Sequence, residues 1–232
     1  MVYFEITLAC FGKKLPEDTI NVGGLKIRYW TNQGGLSEKS EESKPTIVLF
    51  HGNAFSLDNW KRLGTLNELS KRAYPTYAID LPLGRGSKSD KLSQKQSENP
   101  TEVASWVGKI FAALDIQDKQ LVIIGPSLGG GVALSYAVEN PSKIGALILI
   151  GPSIYRVSEN QRSRLPDLEM PILLLWGQRD NVFPLDEFAE PLKQKLPRAK
   201  LIIINGAGHA ANLDRPEEFH MLLFDFLSEI GS

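Results

Sequence analysis

The feature that most constrains this chain is a short apolar run, residues 121–124, that passes without a break into Gly125-Pro126-Ser127-Leu128-Gly129. Gly130, Gly131 and a helix-forming stretch, 132–139, follow directly. A strand that enters G-x-S-x-G and leaves as a helix must reverse within a few residues. The turn is so tight that side chains at the two flanking glycine positions would collide with their surroundings. It pushes the serine oxygen out at the C-terminal edge of a sheet. The following helix start brings unsatisfied N–H groups and a positive dipole end to the same place. An α/β architecture is therefore expected, with Ser127 as a candidate nucleophile.

The remaining pattern agrees with that architecture. Runs 46–50, 76–79, 146–150, 172–176 and 201–204 are almost continuously apolar, as strands are when helices cover both faces of a parallel sheet. Between them, 101–115 repeats Val103, Trp106, Val107, Ile110, Phe111 and Leu114 at helical spacing. The last segment does the same with Phe219, Leu222, Leu223, Phe226, Leu227 and Ile230, and Pro216 sits near its start. Gly23-Gly24 between extended flanks predicts an N-terminal antiparallel hairpin over 22–31. The expected fold is thus a mostly parallel sheet with that hairpin at its edge and helices on both faces. Segments 37–44 and 88–99 are polar and read as solvated loops. No repeat or linker divides the chain, so one domain over 1–232 is expected.

Composition narrows the function classes. A formal net charge of -1 supplies no field for a polyanion, so nucleic acid is not an expected partner. No apolar run approaches the ~20 residues that span a bilayer, so no membrane partner is expected. The opening MVYFEITLACF is interrupted by Glu5 and preceded by no basic residue, which predicts an extra strand rather than a signal peptide. Cys10 is the sole cysteine, so no intrachain disulfide can form, and a reducing, cytoplasmic setting is expected. No sequence feature specifies an oligomeric state.

Three histidines are available as a base for Ser127. His51 belongs to a strand-edge loop, where an imidazole more often braces backbone. His220 lies within the terminal helix. His209 alone follows a strand end on a loop, in Gly206-Ala207-Gly208-His209. Strand 172–176 is followed by Gly177-Gln178-Arg179-Asp180, which puts an acid one short turn past a strand end. Asp80 and Asp214 are the alternatives to Asp180. The order serine, acid, histidine suits a nucleophile on a strand–turn–helix elbow. Strand 46–50 ends in His51-Gly52-Asn53, so the N–H groups of Asn53 and Leu128 are candidates for an oxyanion hole. Neither a metal nor a tightly bound cofactor is expected.

With these residues in place, the sequence resembles the α/β-hydrolase superfamily from about Thr19 to Ser228. A more particular likeness lies in His51-Gly52, Phe55-Ser56, Trp60, Leu63-Gly64-Thr65-Leu66 and Ala78-Ile79-Asp80-Leu81-Pro82. With Gly206-Ala207-Gly208-His209, Leu213-Asp214 and Pro216-Glu217-Glu218, these look like the small lidless hydrolases of the α/β-hydrolase domain-containing protein 14 group. The resemblance implies a compact fold, a Ser–His–Asp site and activity on small acyl esters. For one branch it also implies protein-lysine deacetylation with acetyl transfer to coenzyme A. Family members usually carry D-L-P-G-x-G, whereas Asp80 here leads into Leu81-Pro82-Leu83-Gly84-Arg85-Gly86, one residue longer. His51-Gly52-Asn53 also resembles haloalkane dehalogenases, but those need Asp and Trp where this chain has Ser127 and Leu128.

In this fold a cap is inserted after the strand that here ends near Ile150, and only 151–170 are available for one. An open site with a minimal cap is expected, with Ile154, Tyr155 and Phe183 at its mouth. The expected function is hydrolysis of a small-molecule, short-chain acyl ester, or of an acylated substrate, through an acyl-enzyme. Deacetylation or acyl transfer to a thiol, C–C bond hydrolysis, and ligand binding without catalysis are the alternatives.

Overall fold

The computed structural model describes residues 17–32, 44–116 and 120–231. The opening apolar segment with Cys10, and the polar segment expected over 37–44 except for Lys44, lie outside the described residues.

Eight strands form one sheet: β1 (Glu17–Val22), β2 (Leu25–Thr31), β3 (Ile47–Phe50), β4 (Thr76–Ile79), β5 (Leu121–Pro126), β6 (Ile144–Ile150), β7 (Ile172–Gly177) and β8 (Ala199–Ile204). Their order is β1-β2-β4-β3-β5-β6-β7-β8. β1 and β2 make the expected hairpin, and β2 runs antiparallel beside β4. From β4 to β8 every pairing is parallel. The hairpin turn is Gly23-Gly24, both at positive φ (55° and 87°), as a two-residue turn matching strand twist requires.

Nine helices fall within the described residues: α1 (Asp58–Arg62), α2 (Thr65–Lys71), α3 (Gln94–Ser97), α4 (Pro100–Ala113), α5 (Leu128–Glu139), α6 (Glu159–Ser163), α7 (Glu190–Lys195), α8 (Ala211–Asp214) and α9 (Pro216–Ile230). The pleat sends alternate strand residues to opposite layers. Val48, Phe50 and Ile123 pack with Val107, Ile110 and Phe111 of α4 and with Val132 and Tyr136 of α5. Ile47, Leu49, Val122 and Ile124 pack on the other side with Trp60, Leu66, Phe219 and Leu223, from α1, α2 and α9. Both faces are covered at the centre of the sheet, which explains why β3 to β7 read as nearly unbroken apolar runs.

Helix starts follow local chemistry. Asn99 accepts the N–H groups of Thr101 and Glu102, and Pro100 occupies the first turn, where a missing N–H costs nothing. The fifth helix is buried nearly all round. Its triple glycine lets backbone approach closely, since a Cβ on Gly131 would lie 2.1 Å from the Ser153 carbonyl oxygen.

Segment 88–99 is not the solvated loop its polarity suggests. Ser89 and Leu92 are buried. The Ser89 hydroxyl donates to the Asp80 carbonyl and accepts the Arg28 N–H, and Ser93 caps α3. Hydroxyl-to-backbone bonds leave no periodic mark in a sequence.

Candidate active site

The strand–turn–helix at Ser127 has the geometry its glycines imply. Ser127 sits at φ 49°, ψ -115°, a left-handed conformation for a residue with a side chain. Such strain costs about 1–3 kcal/mol and persists only where the surroundings hold it. Here the Ser127 N–H donates to the Ile150 carbonyl, and the Ser127 carbonyl accepts from Gly131 and Ser153. A Cβ on Gly125 would stand 2.5 Å from the Gly129 carbonyl carbon, and one on Gly129 would stand 2.7 Å from the His51 carbonyl oxygen. Both positions require glycine.

The ends of β7 and β8 bring up two further groups. Arg179 N–H donates to the Ala207 carbonyl, and Gly206 N–H to the Gln178 side chain. Gly177 lies so close to Gly208 that a Cβ would meet its carbonyl oxygen at 2.0 Å. The two post-strand loops are thus fixed together. They place His209 Nε2 2.9 Å from Ser127 Oγ, and His209 Nδ1 2.8 Å from Asp180 Oδ2. The other Asp180 oxygen accepts the N–H groups of Val182 and Phe183, each at 2.9 Å. Burial alone would raise the Asp180 carboxyl. The hydrogen bonds from His209 and these two N–H groups outweigh it, and the carboxyl lies below its ordinary value. Gly151 passes beside the pair at φ +48°, and a Cβ there would lie 3.2 Å from Asp180 Oδ2.

The alternative acids and bases are engaged elsewhere. Asp80 is fully buried, accepts the Leu57 N–H and pairs with Arg28 at 3.0 Å. Asp214 accepts the Gly208 N–H at 2.8 Å, which fixes the loop carrying His209. His51 donates through Nδ1 to the Gly52 carbonyl and accepts the Leu81 N–H at Nε2, so its ring is neutral. Burial holds its pKa below the ordinary value. His220 bonds Thr65 Oγ1 at 2.9 Å, which ties α9 to α2.

A cavity of about 230 Å³ opens at Ser127 and His209. Phe55, Trp60, Val182 and Leu213 supply much of its apolar wall, and Asn59, Arg85 and Asn212 its polar side chains. Asn53 lies on this wall too. Its carbonyl and side-chain oxygens accept the N–H groups of Gly86 and Arg85, which ties its loop to the one after β4. Leu128 opens α5, where first-turn N–H groups have no intrahelical acceptor.

The three residues expected at the mouth are placed differently. Ile154 and Tyr155 line a separate hollow with Phe188 and Leu192. Phe183 is buried and stacks edge-on against the His209 ring. The expectation followed the short cap segment. The wall instead comes from the loop after β3 and the start of α1, a segment that directly follows a candidate oxyanion loop. That adjacency is the signal that points to Phe55, Asn59 and Trp60. The cap segment itself holds a 3-10 turn at Ile154–Arg156, the five-residue α6 and a second turn at Leu165–Asp167. Among the described residues no cluster of metal-ligating side chains occurs, and no helix is long and apolar enough to cross a membrane.

Comparison with known proteins places this architecture. The family described as alpha/beta hydrolase fold matches residues 45–160 and 155–216. The chain belongs to the α/β-hydrolase family. Within it, this hydrolase falls in the ABHD14 group. It is 30% identical over 220 residues to ABHD14B of Rattus norvegicus, a proposed protein-lysine deacylase, covering 94% of this chain and 98% of the relative. Protein ABHD14A of Mus musculus is 30% identical over 185 residues, 79% of this chain and 70% of that protein. Among solved structures, a CIB-like hydrolase from Thermoplasma acidophilum superposes with a TM-score of 0.78 at 26% identity, covering 93% of this chain and 99% of that one.

Proposed function

We propose that this α/β-hydrolase cleaves small acyl esters through an acyl-enzyme on Ser127, with His209 as general base and Asp180 orienting the imidazole. The observation that carries the reading is the continuous hydrogen-bonded line Ser127–His209–Asp180, at 2.9 and 2.8 Å, opening onto a small apolar cavity. His209 Nε2 takes the hydroxyl proton as Ser127 Oγ attacks the ester carbonyl carbon. Negative charge gathers on the carbonyl oxygen, which the N–H groups of Asn53 and Leu128 receive, each worth ~3–4 kcal/mol in the transition state. The carbon–oxygen bond to the leaving alcohol then breaks, and His209 returns the proton to it. Water, deprotonated by the same imidazole, releases the acid and restores the serine. Asp180 holds Nδ1 as the protonated nitrogen throughout.

The cavity is smaller than the 300–1,000 Å³ of drug-sized sites, and the short segment after β6 places no lid domain over it. Both favour short acyl chains at an open site. A second reading, removal of an acyl group from protein lysine, rests on the likeness to ABHD14B. The two separate in one experiment. Initial rates on p-nitrophenyl esters from acetate to long chain, alongside an acetyl-lysine peptide, are compared in wild type and Ser127→Ala. Fast short-chain turnover lost in the variant supports the esterase. Serine-dependent release from the peptide alone supports the deacylase, and full activity in Ser127→Ala overturns both.

A further inference from the structure

The wall of the Ser127 cavity carries one formally charged side chain, and it is positive. No Asp or Glu lines it, while Arg85 does. Among the described residues the Arg85 guanidinium has no carboxylate partner, unlike Arg28, Arg72, Arg162 and Arg164. Its backbone is nevertheless held in place. The Arg85 N–H donates to the Asn53 side chain and the next N–H, of Gly86, to the Asn53 carbonyl. Lys91 clamps the same loop from below by donating to the Gly84 and Ser87 carbonyls at 2.9 and 2.7 Å. A Cβ on Gly86 would stand 2.4 Å from the Ala54 carbonyl carbon, so the loop is seated directly on the segment that follows Asn53.

Besides Asn53, two further amides share this wall. Asn212 is 4% exposed, and its side chain makes no hydrogen bond among the described residues, so its polar atoms face the cavity. Asn59 accepts from Arg62 through its oxygen and keeps its NH₂ free of partners among the described residues. A lone guanidinium with amide donors beside it is suited to an oxyanion of the substrate. A cationic group in the same space would meet the guanidinium with nothing to neutralise it.

Resting on the ester-hydrolase reading, we infer that Arg85 is a specificity-determining residue that selects acyl esters carrying a carboxylate or phosphate within a few bonds of the scissile carbonyl. Arg85 and Ser127 line the same cavity.

The test uses matched substrates: 4-acetoxybenzoate against its methyl ester, 4-acetoxyphenyl phosphate against phenyl acetate, and the p-nitrophenyl half-ester of succinate against p-nitrophenyl butyrate. The quantity read is the ratio of kcat/KM for the anionic ester to that for its neutral twin, so a general loss of activity cancels. In wild type at least one ratio is expected above unity, and it should fall as ionic strength rises, because a mouth-exposed charge is screened. Arg85→Ala should lower that ratio about tenfold, the lower end for a charged hydrogen bond because the side chain is exposed, with Arg85→Lys between. Which pair responds separates carboxylate from phosphate and acyl side from leaving side. Ratios unchanged in Arg85→Ala, or below unity for all three pairs in wild type, overturn the inference. Absence of serine-dependent turnover on the neutral twins overturns the underlying reading instead.

Discussion

Phe183 lies edge-on to the His209 ring, with centroids 5.1 Å apart and planes at 80°, while its own backbone N–H donates to Asp180. One residue thus touches both His209 and Asp180. Its carbonyl in turn accepts the Trp176 indole N–H at 2.8 Å, which anchors it to the end of β7. Phe183→Ala keeps the backbone bonds and removes the ring behind the imidazole. The expected cost is about 3 kcal/mol of stability. Steady-state kinetics should show kcat falling more than KM rises, since the ring positions the base and does not wall the cavity.

Asp180→Asn tests the tautomer. An amide can still accept the Val182 and Phe183 N–H groups, so the loop should keep its shape. It no longer holds His209 with the proton on Nδ1, and kcat is expected to drop by about 10,000-fold at neutral pH. A circular dichroism spectrum like that of wild type, beside that loss, identifies the effect as chemical.

Gly129→Ala probes the elbow. The added carbon would press against the His51 carbonyl and Phe50 Cβ at 2.7 and 2.9 Å. Relief means moving β3 away from α5, at about 1–3 kcal/mol. Thermal denaturation should show the loss, and the same shift should depress ester turnover because Asn53 moves with His51.

Much of the fold was legible beforehand. Strands buried on both faces announce themselves as unbroken apolar runs, and β4 begins and ends where its sequence run does. Ser127, Asp180 and His209 each follow a strand end, and a parallel sheet gathers such ends at one edge. The cavity wall was not legible, because Arg85 lies in a loop and Asn59 and Asn212 on the short helices α1 and α8, which carry too few residues to show a periodic pattern. Arg28 illustrates the same limit. It reads as a strand residue, yet it pairs with Asp58, Asp80 and Glu17 from three other segments.

That cluster yields its own prediction. Arg28→Met leaves the fully buried Asp80 without its cation. Removing one partner of a buried pair costs about 3–5 kcal/mol. A lowered urea midpoint is expected, and the paired change Arg28→Met with Asp80→Asn should recover part of it.

Stability should also depend on pH through two histidines. Burial lowers the pKa of both His51 and His220 below their ordinary value of 6.5. In the unfolded chain each takes a proton as pH falls through that value, while in the fold each stays neutral until lower pH. The unfolded state therefore binds more protons in this window, and stability falls as pH drops below about 6.5. Urea midpoints between pH 8 and pH 5.5 should show the decline, and His220→Gln should make it shallower.

If Ser127 forms the acyl-enzyme, the acyl group of a substrate must rest on its Oγ during turnover. Wild-type protein mixed rapidly with p-nitrophenyl acetate and quenched in acid should carry one acetyl group, located by peptide mass spectrometry on Ser127. A fluorophosphonate should label the same residue and block turnover. Neither adduct should appear in Ser127→Ala. Serine-independent turnover, or an adduct on any other side chain, would contradict the claim.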